Sequence, residues 1–127
     1  MRVPVHYDSP QEALSFIQSN QRIYIHGSAQ TPTYLLKHLA NEAHRLQNVE
    51  VVSISVYGDI FIDKPEYRDH FRINSLFVSA SVREAVSEGY ADYVPVFLSE
   101  IPELFRQNIL PIDVAIVQVS TPDSHGY

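Results

Sequence analysis

The sequence predicts an α/β fold: a mainly parallel sheet of about five strands with helices on both faces. Three observations carry this expectation. Short apolar runs suited to buried strands alternate with helix-start signals along the whole chain. Residues 49–56, VEVVSISV, form a nearly unbroken β-branched run, as expected of a strand covered on both faces. Residues 75–105 read as strand, helix, strand and helix with little slack between them, a pattern that leads to right-handed crossovers between parallel strands.

Taken in order, Ser9-Pro10-Gln11-Glu12 opens the first helix with two independent signals, a capping box and a proline at the first helical position. Leu14, Phe16 and Ile17 supply its apolar face, and Asn20-Gln21 ends it. Residues 22–26 form the first strand, and a turn of small residues delivers the chain into a second helix. Thr31 is its expected cap and Pro32 its first residue. Leu35, Leu36, Leu39, Ala43 and Leu46 recur near helical period, so one face of this helix packs inward.

After the strand at 49–56, Gly58-Asp59 reads as a turn and Lys64-Pro65-Glu66 as a short helix. Residues 75–78 are expected as the third strand. Ser81 and Glu84 form a Ser-x-x-Glu capping box for a helix that Gly89 stops. Residues 92–97 read as the fourth strand, Ser99 opens the last helix, and DVAIVQV supplies the fifth strand. The chain then ends in a strand-end loop with no covering helix, so the sequence reads as the front of a larger protein.

With 127 residues the chain fits one modest domain, and 45% hydrophobic residues place it among globular proteins. No apolar run approaches the ~20 residues that a bilayer crossing requires, and the start lacks a secretory signal. The absence of cysteine excludes disulfides, thiolate zinc sites and cysteine nucleophiles from this stretch and is compatible with a cytoplasmic location. A net charge of −6 with scattered basic residues argues against nucleic acid as a partner.

Two loops are candidates for chemistry. Gly27, Ser28 and Ala29 end the first strand and lead to a helix start; they read equally as an anion-binding approach to backbone amides or as an ordinary tight turn. The stretch is neither G-x-G-x-x-G nor a Walker loop. Asp123-Ser124-His125-Gly126 brings a carboxylate and an imidazole together after the last strand, either to position a substrate or as solvated turn chemistry. The six histidines lack ligand spacing, so no metal site is expected. Glu100 and Glu103 suit the first turn of a helix better than catalysis.

Three stretches together carry a family resemblance: Gly27-Ser28-Ala29-x-x-Pro32, the segment FVSASVREAVSEGYADYVPVFLSEIPELF, and the tail DVAIVQVSTPDSHGY. They closely resemble the acetyl-CoA hydrolase/transferase family, which includes acetate and 4-hydroxybutyrate CoA-transferases. The resemblance implies a protein of two similar α/β domains with the active site between them. It also implies a reaction that moves CoA from an acyl-CoA to a small carboxylate through a mixed anhydride and a glutamyl-CoA thioester.

Residues 1–127 correspond by this resemblance to the front part of the first domain, and the attacking glutamate belongs to the absent second one. No glutamate of this sequence takes that role, so the chain alone is expected to be inactive. The resemblance places Gly27, Ser28, Ala29, Pro32, His125 and Gly126 on the acyl or carboxylate side of the cleft. It implies no permanently bound cofactor, with coenzyme A or acyl-CoA as substrate, and homo-oligomerisation is expected. The alternative from another class is a non-catalytic sensor or regulatory domain for a small anion.

Overall fold

The computed structural model describes residues 5–126. Strands β1 (Arg22–Ile25), β2 (Val49–Ser53), β3 (Phe71–Ser75), β4 (Ala91–Tyr93) and β5 (Val114–Ile116) form one sheet. Their order is β4-β3-β2-β1-β5, and every neighbouring pair is parallel. The chain thus steps outward from β1 to β4, then returns to lay β5 along the other side of β1. The predicted class and strand number both hold.

Strand alternation divides the side chains between two faces. On one face, Ile23 and Ile25 of β1, Val49 and Val51 of β2, and Phe71 and Ile73 of β3 are buried in one cluster. Helices α1 (Pro10–Leu14), α2 (Thr33–Asn41) and α3 (Arg83–Ser87) cover it, contributing Leu14, Leu36, Leu39 and Ala85. On the opposite face α4 (Ile101–Arg106) packs Ile101, Leu104 and Phe105 against Tyr24, Val52 and Leu76. Helices therefore do lie on both faces.

That second face is only partly covered. Toward the amino ends of the strands it carries a row of alternating charge. Arg22 pairs in register with Glu50, and Glu50 with Arg72. At the β5 end, the Asp113 carboxylate accepts the backbone N–H of Arg22 at 2.8 Å. At the other end, Arg72 is ion-paired with Asp92 of β4. A parallel sheet normally hides both faces under apolar cover; here opposite charges on neighbouring strands neutralise one another where that cover stops.

Several element boundaries differ from the sequence expectation. Helix α1 is only five residues long, although Ser9 caps it as predicted, its Oγ accepting the Glu12 N–H at 3.2 Å. Phe16 is exposed, with its ring edge-on to Tyr7, while Ile17 is buried. The third strand ends at Ser75 rather than beginning there; the alternation Phe71-x-Ile73-x-Ser75 marks it, and the apolar residues that follow form its exit loop. Strand β4 is shorter than 92–97, because Pro95 lacks the N–H that pairing needs. The fifth strand likewise shrinks to Val114–Ile116.

Two expected caps do something else. Thr31 makes no cap to α2, whose N-cap position is Pro32 without a side-chain hydrogen bond. Ser81 lies inside a short 3-10 turn before α3, and its Oγ donates to the Val56 carbonyl at 3.3 Å. Ser99 also sits in a 3-10 turn, one step before α4. Gly89 behaves as predicted, with φ of 79° just past α3 and its N–H donating to the Val86 carbonyl.

Candidate functional site

The strand order places a reversal between β1 and β5, since the connection from β1 leads toward β2 and β5 lies on the opposite side. In open α/β sheets, ligand crevices form outside the carboxyl ends of strands at such a reversal. Both predicted loops leave the sheet there: residues 26–32 follow β1, and residues 117–126 follow β5. His26 still donates its N–H to the Ile116 carbonyl at 2.9 Å, so the two strands stay paired up to the point where the loops begin.

The loop after β1 is held tightly to the loop after β2. A Cβ on Gly27 would overlap the Ser55 carbonyl oxygen, so this position admits no side chain. The Ser28 N–H donates to that same carbonyl at 2.6 Å, and Ser28 and Val56 form an isolated parallel bridge. Ser28 holds φ at 54°, in the left-handed region that a non-glycine residue enters only under constraint. The Gln30 N–H turns back to the Gly27 carbonyl and the Thr31 N–H to that of Ser28.

This geometry qualifies the anion reading of the turn. The close approach that Gly27 permits is to the Ser55 backbone, and the Ser28, Gln30 and Thr31 amides already have partners within the protein. What the turn presents outward is the exposed surface of Ser28 and Ala29, with Pro32 buried beneath. Tyr57, which sequence reasoning passed over, stands exposed within the loop after β2. The sequence signal for it is the pair Tyr57-Gly58 after the β-branched run; Gly58 has φ of 79° in the loop, and β2 itself ends at Ser53.

His125 and Gly126 lie in an exposed turn. The Asp123 carboxylate accepts the His125 backbone N–H at 2.8 Å, and the Gly126 N–H donates to the Asp123 carbonyl at 3.0 Å. Gly126 needs its φ of 86° to close this turn. The structure therefore brings Gly27, Ser28, Ala29 and Pro32 together, and sets His125 and Gly126 on the neighbouring strand's exit. Tyr127 lies outside the described residues.

The crevice loops contain no glutamate: residues 26–32, 54–62 and 117–126 carry only Asp59 and Asp123 as acids. Glu50 sits on the other half of the sheet, bonded to Arg22 at 2.7 Å and to the Asn74 amide at 2.7 Å. Below the β1–β5 reversal, on the second face, an apolar groove of about 430 Å³ runs between Tyr24, Ile54, Ile101, Phe105 and Ala115. Among the described residues its only titratable group is the Tyr24 hydroxyl, which burial pushes above its ordinary value. The rest of the groove's described lining is apolar. Among the described residues, no group of three or more His, Asp and Glu side chains could hold a metal ion.

Comparison with known proteins agrees with the fold and extends it. The acetyl-CoA hydrolase/transferase N-terminal domain family matches residues 5–127. A succinyl-CoA:acetate/propanoyl-CoA:succinate CoA transferase of Fasciola hepatica is 37% identical over 99% of the chain and 26% of its own length. A 4-hydroxybutyrate coenzyme A transferase of Clostridium kluyveri is 37% identical over 92% of the chain and 27% of its length. Among solved structures, RipA from Yersinia pestis superposes with a TM-score of 0.81 at 29% identity, over 92% of the chain and 30% of that protein. The 4-hydroxybutyrate CoA-transferase of Porphyromonas gingivalis gives 0.70 at 25% identity, over 92% of the chain and 25% of that protein. The chain spans about a quarter of the length of the curated relatives it matches. On the match across nearly all its residues, the chain belongs to the acetyl-CoA hydrolase/transferase N-terminal domain family.

Proposed function

We propose that this chain forms the front part of the first domain of an enzyme that moves CoA between an acyl-CoA and a small carboxylate. The observation that carries the reading is the family match over residues 5–127, joined by relatives named as CoA transferases at 37% identity. The β1–β5 reversal supports a substrate-facing role for its strand-end loops, with Gly27, Ser28, Ala29, Pro32, His125 and Gly126 on the acyl or carboxylate side. Gly27 contributes by admitting the Ser55 carbonyl, Ser28 and Ala29 by surface, and His125 by an imidazole that donates to a carboxylate or carbonyl oxygen.

In this reading a glutamate outside the sequence attacks the thioester carbonyl and displaces CoA thiolate, giving a mixed anhydride. The thiolate then attacks the glutamyl carbonyl of the anhydride, releasing the first carboxylate and leaving glutamyl-CoA. The second carboxylate takes the acyl position by the reverse steps. Coenzyme A is substrate throughout. The absence of any glutamate from the crevice loops supports assigning the nucleophile elsewhere. Exposed apolar residues along the carboxyl edge, Phe77, Phe97, Val117 and Val119, support association with further protein, either a second domain or a second copy in a cytoplasmic homo-oligomer.

The test compares residues 1–127 with the polypeptide extended through its reading frame, each mixed with acetyl-CoA and a second carboxylate. The extended protein exchanges CoA onto the second carboxylate, and the 127-residue chain does not exceed the blank. Clear turnover by residues 1–127 alone overturns the placement of the glutamate. Release of free CoA without exchange makes the protein a hydrolase.

A further inference from the structure

We propose that Thr31 is a positioning residue whose buried hydroxyl clasps the loop after β1 to the loop after β2, fixing Ser28 and Tyr57 as one edge that faces the carboxylate acceptor. The inference rests on the CoA-transfer reading and adds to it a residue that makes no contact with substrate itself.

Thr31 is only 6% exposed, and its hydroxyl has two partners on different loops. It donates to the Ser28 carbonyl at 2.8 Å and accepts the Tyr57 N–H at 3.1 Å. These loops are also joined by the parallel bridge between Ser28 and Val56, at which the Ser28 N–H donates to the Ser55 carbonyl. Ser81 bonds the Val56 carbonyl and so ties the exit of β3 to the same loop.

Among these contacts only that of Thr31 reaches both exposed residues. Ser28 sits at positive φ, a conformation that persists only when its surroundings over-determine it. The Thr31 hydroxyl holds its carbonyl side, and Ser55 holds its amide side. Tyr57 is 58% exposed, and its backbone N–H is held by the Thr31 hydroxyl. A threonine at an apparent helix start would ordinarily cap that helix, yet here the hydroxyl is spent on the two loops and α2 has no side-chain cap.

The experiment uses the reading-frame-extended polypeptide with Thr31→Val, which keeps the shape and removes the hydroxyl, and Thr31→Ser, which keeps it. Thr31→Val is expected to raise the KM for the carboxylate acceptor about tenfold while kcat stays within about threefold. Thr31→Ser is expected to restore the wild-type KM. A fall in kcat with unchanged KM, or no change in either, overturns the positioning role, since lost stability alone removes active molecules without altering their affinity. Amide hydrogen exchange at Tyr57 gives a second reading that needs no activity. Thr31→Val is expected to accelerate it about tenfold and Thr31→Ser to leave it protected; equal protection in both overturns the clasp. If Thr31→Val does not fold, Thr31→Cys, with a weaker partner of similar reach, is read in the same way. A wild-type protein that exchanges no CoA overturns the functional reading and the acceptor-facing role with it, while Tyr57 exchange still decides the clasp.

Discussion

Arg22 and Glu50 face one another across directly paired positions of β1 and β2, with Nε 2.7 Å from Oε2. Each side chain is about three-quarters covered, 26% and 24% exposed. Arg22 also donates to the Pro111 carbonyl at 3.1 Å, and the Asn74 amide donates to the other Glu50 oxygen. Glu50 is thus the shared acceptor that links β1, β2 and β3 on the uncovered half of the sheet.

Replacing Glu50 by alanine leaves both Arg22 Nε and Asn74 Nδ2 without this partner. The expected loss is about 1–3 kcal/mol, the range for orphaning partly buried polar groups. Urea unfolding of the two proteins measures it. Glu50→Gln, which retains an acceptor but not the charge, is expected to lose less, and an equal loss would mean that charge rather than hydrogen bonding dominates.

Gly27→Ala is expected to destabilise the domain by about 1–3 kcal/mol, because its methyl meets a backbone carbonyl that cannot swing aside. The Ser55 carbonyl is the obstacle, and moving it also breaks the Ser28 amide bond. Gly89 provides the contrast: nothing lies within 4 Å of its missing Cβ, but its φ is 79°. Gly89→Asn is therefore expected to cost little, since asparagine tolerates the left-handed region. Thermal unfolding separates the two causes.

Arg45 serves the end of α1. One guanidinium nitrogen donates to the Ile17 carbonyl at 2.7 Å and another to that of Leu14 at 2.8 Å, while Nε pairs with Glu42. A five-residue helix has little stability of its own, so these bonds hold it to the 3-10 turn at Ala43–Arg45 that follows α2. Arg45→Met is expected to lose about 1–3 kcal/mol by freeing two carbonyls. Arg45→Lys recovers only part, because an ammonium lacks the planar fork. Hydrogen exchange in residues 10–17 reports the loosening directly.

Burial pushes the Asp63 carboxyl above its ordinary value, with Asp59 and Glu84 adding to the effect and its own backbone bond and Lys64 opposing it. One of its oxygens is buried without a hydrogen-bond partner among the described residues. The folded state holds this proton to a higher pH than the unfolded chain does. Its contribution to stability is therefore greatest below the unfolded value of 3.8 and declines as pH rises through the raised folded value. Asp63→Asn is expected to be more stable than wild type at pH 7, with the gap narrowing as pH falls through the raised folded value and closed once pH is below 3.8. A gap that stays constant from pH 7 to 3 assigns the effect to something other than this proton.

Ala29→Leu tests the outward surface of the β1 loop. Ala29 is exposed and its backbone has no positive φ, so a larger side chain enters without folding strain. Ser28→Leu is a poorer probe, since φ of 54° would penalise it before any ligand is met. In the extended polypeptide, Ala29→Leu is expected to lower kcat/KM for the carboxylate about tenfold with an unchanged melting temperature. Unchanged kinetics would remove the turn from the substrate side.

The alternation of apolar runs and start signals was enough to predict a mainly parallel sheet of about five strands with helices on both faces, though it placed the third strand at 75–78 and not at Phe71–Ser75. Ser9 and Gly89 do what their local sequence says, because a cap or a left-handed stop involves residues within four positions of itself. Thr31 and Ser81 carry the same local signals and behave differently. Their hydroxyls are taken by loops about 25 residues away, Tyr57 for Thr31 and Val56 for Ser81. Nothing local encodes which of two available partners a hydroxyl meets. The strand order belongs to the same class: β5 docks on β1, from which Asp113 reaches back 91 residues to the Arg22 amide. That pairing makes the reversal beside Gly27, where both candidate loops leave the sheet. Sequence determined the elements and the small residues at their ends. Tertiary packing decided which ends meet, because hydrogen-bond partners and strand neighbours are chosen by proximity in space.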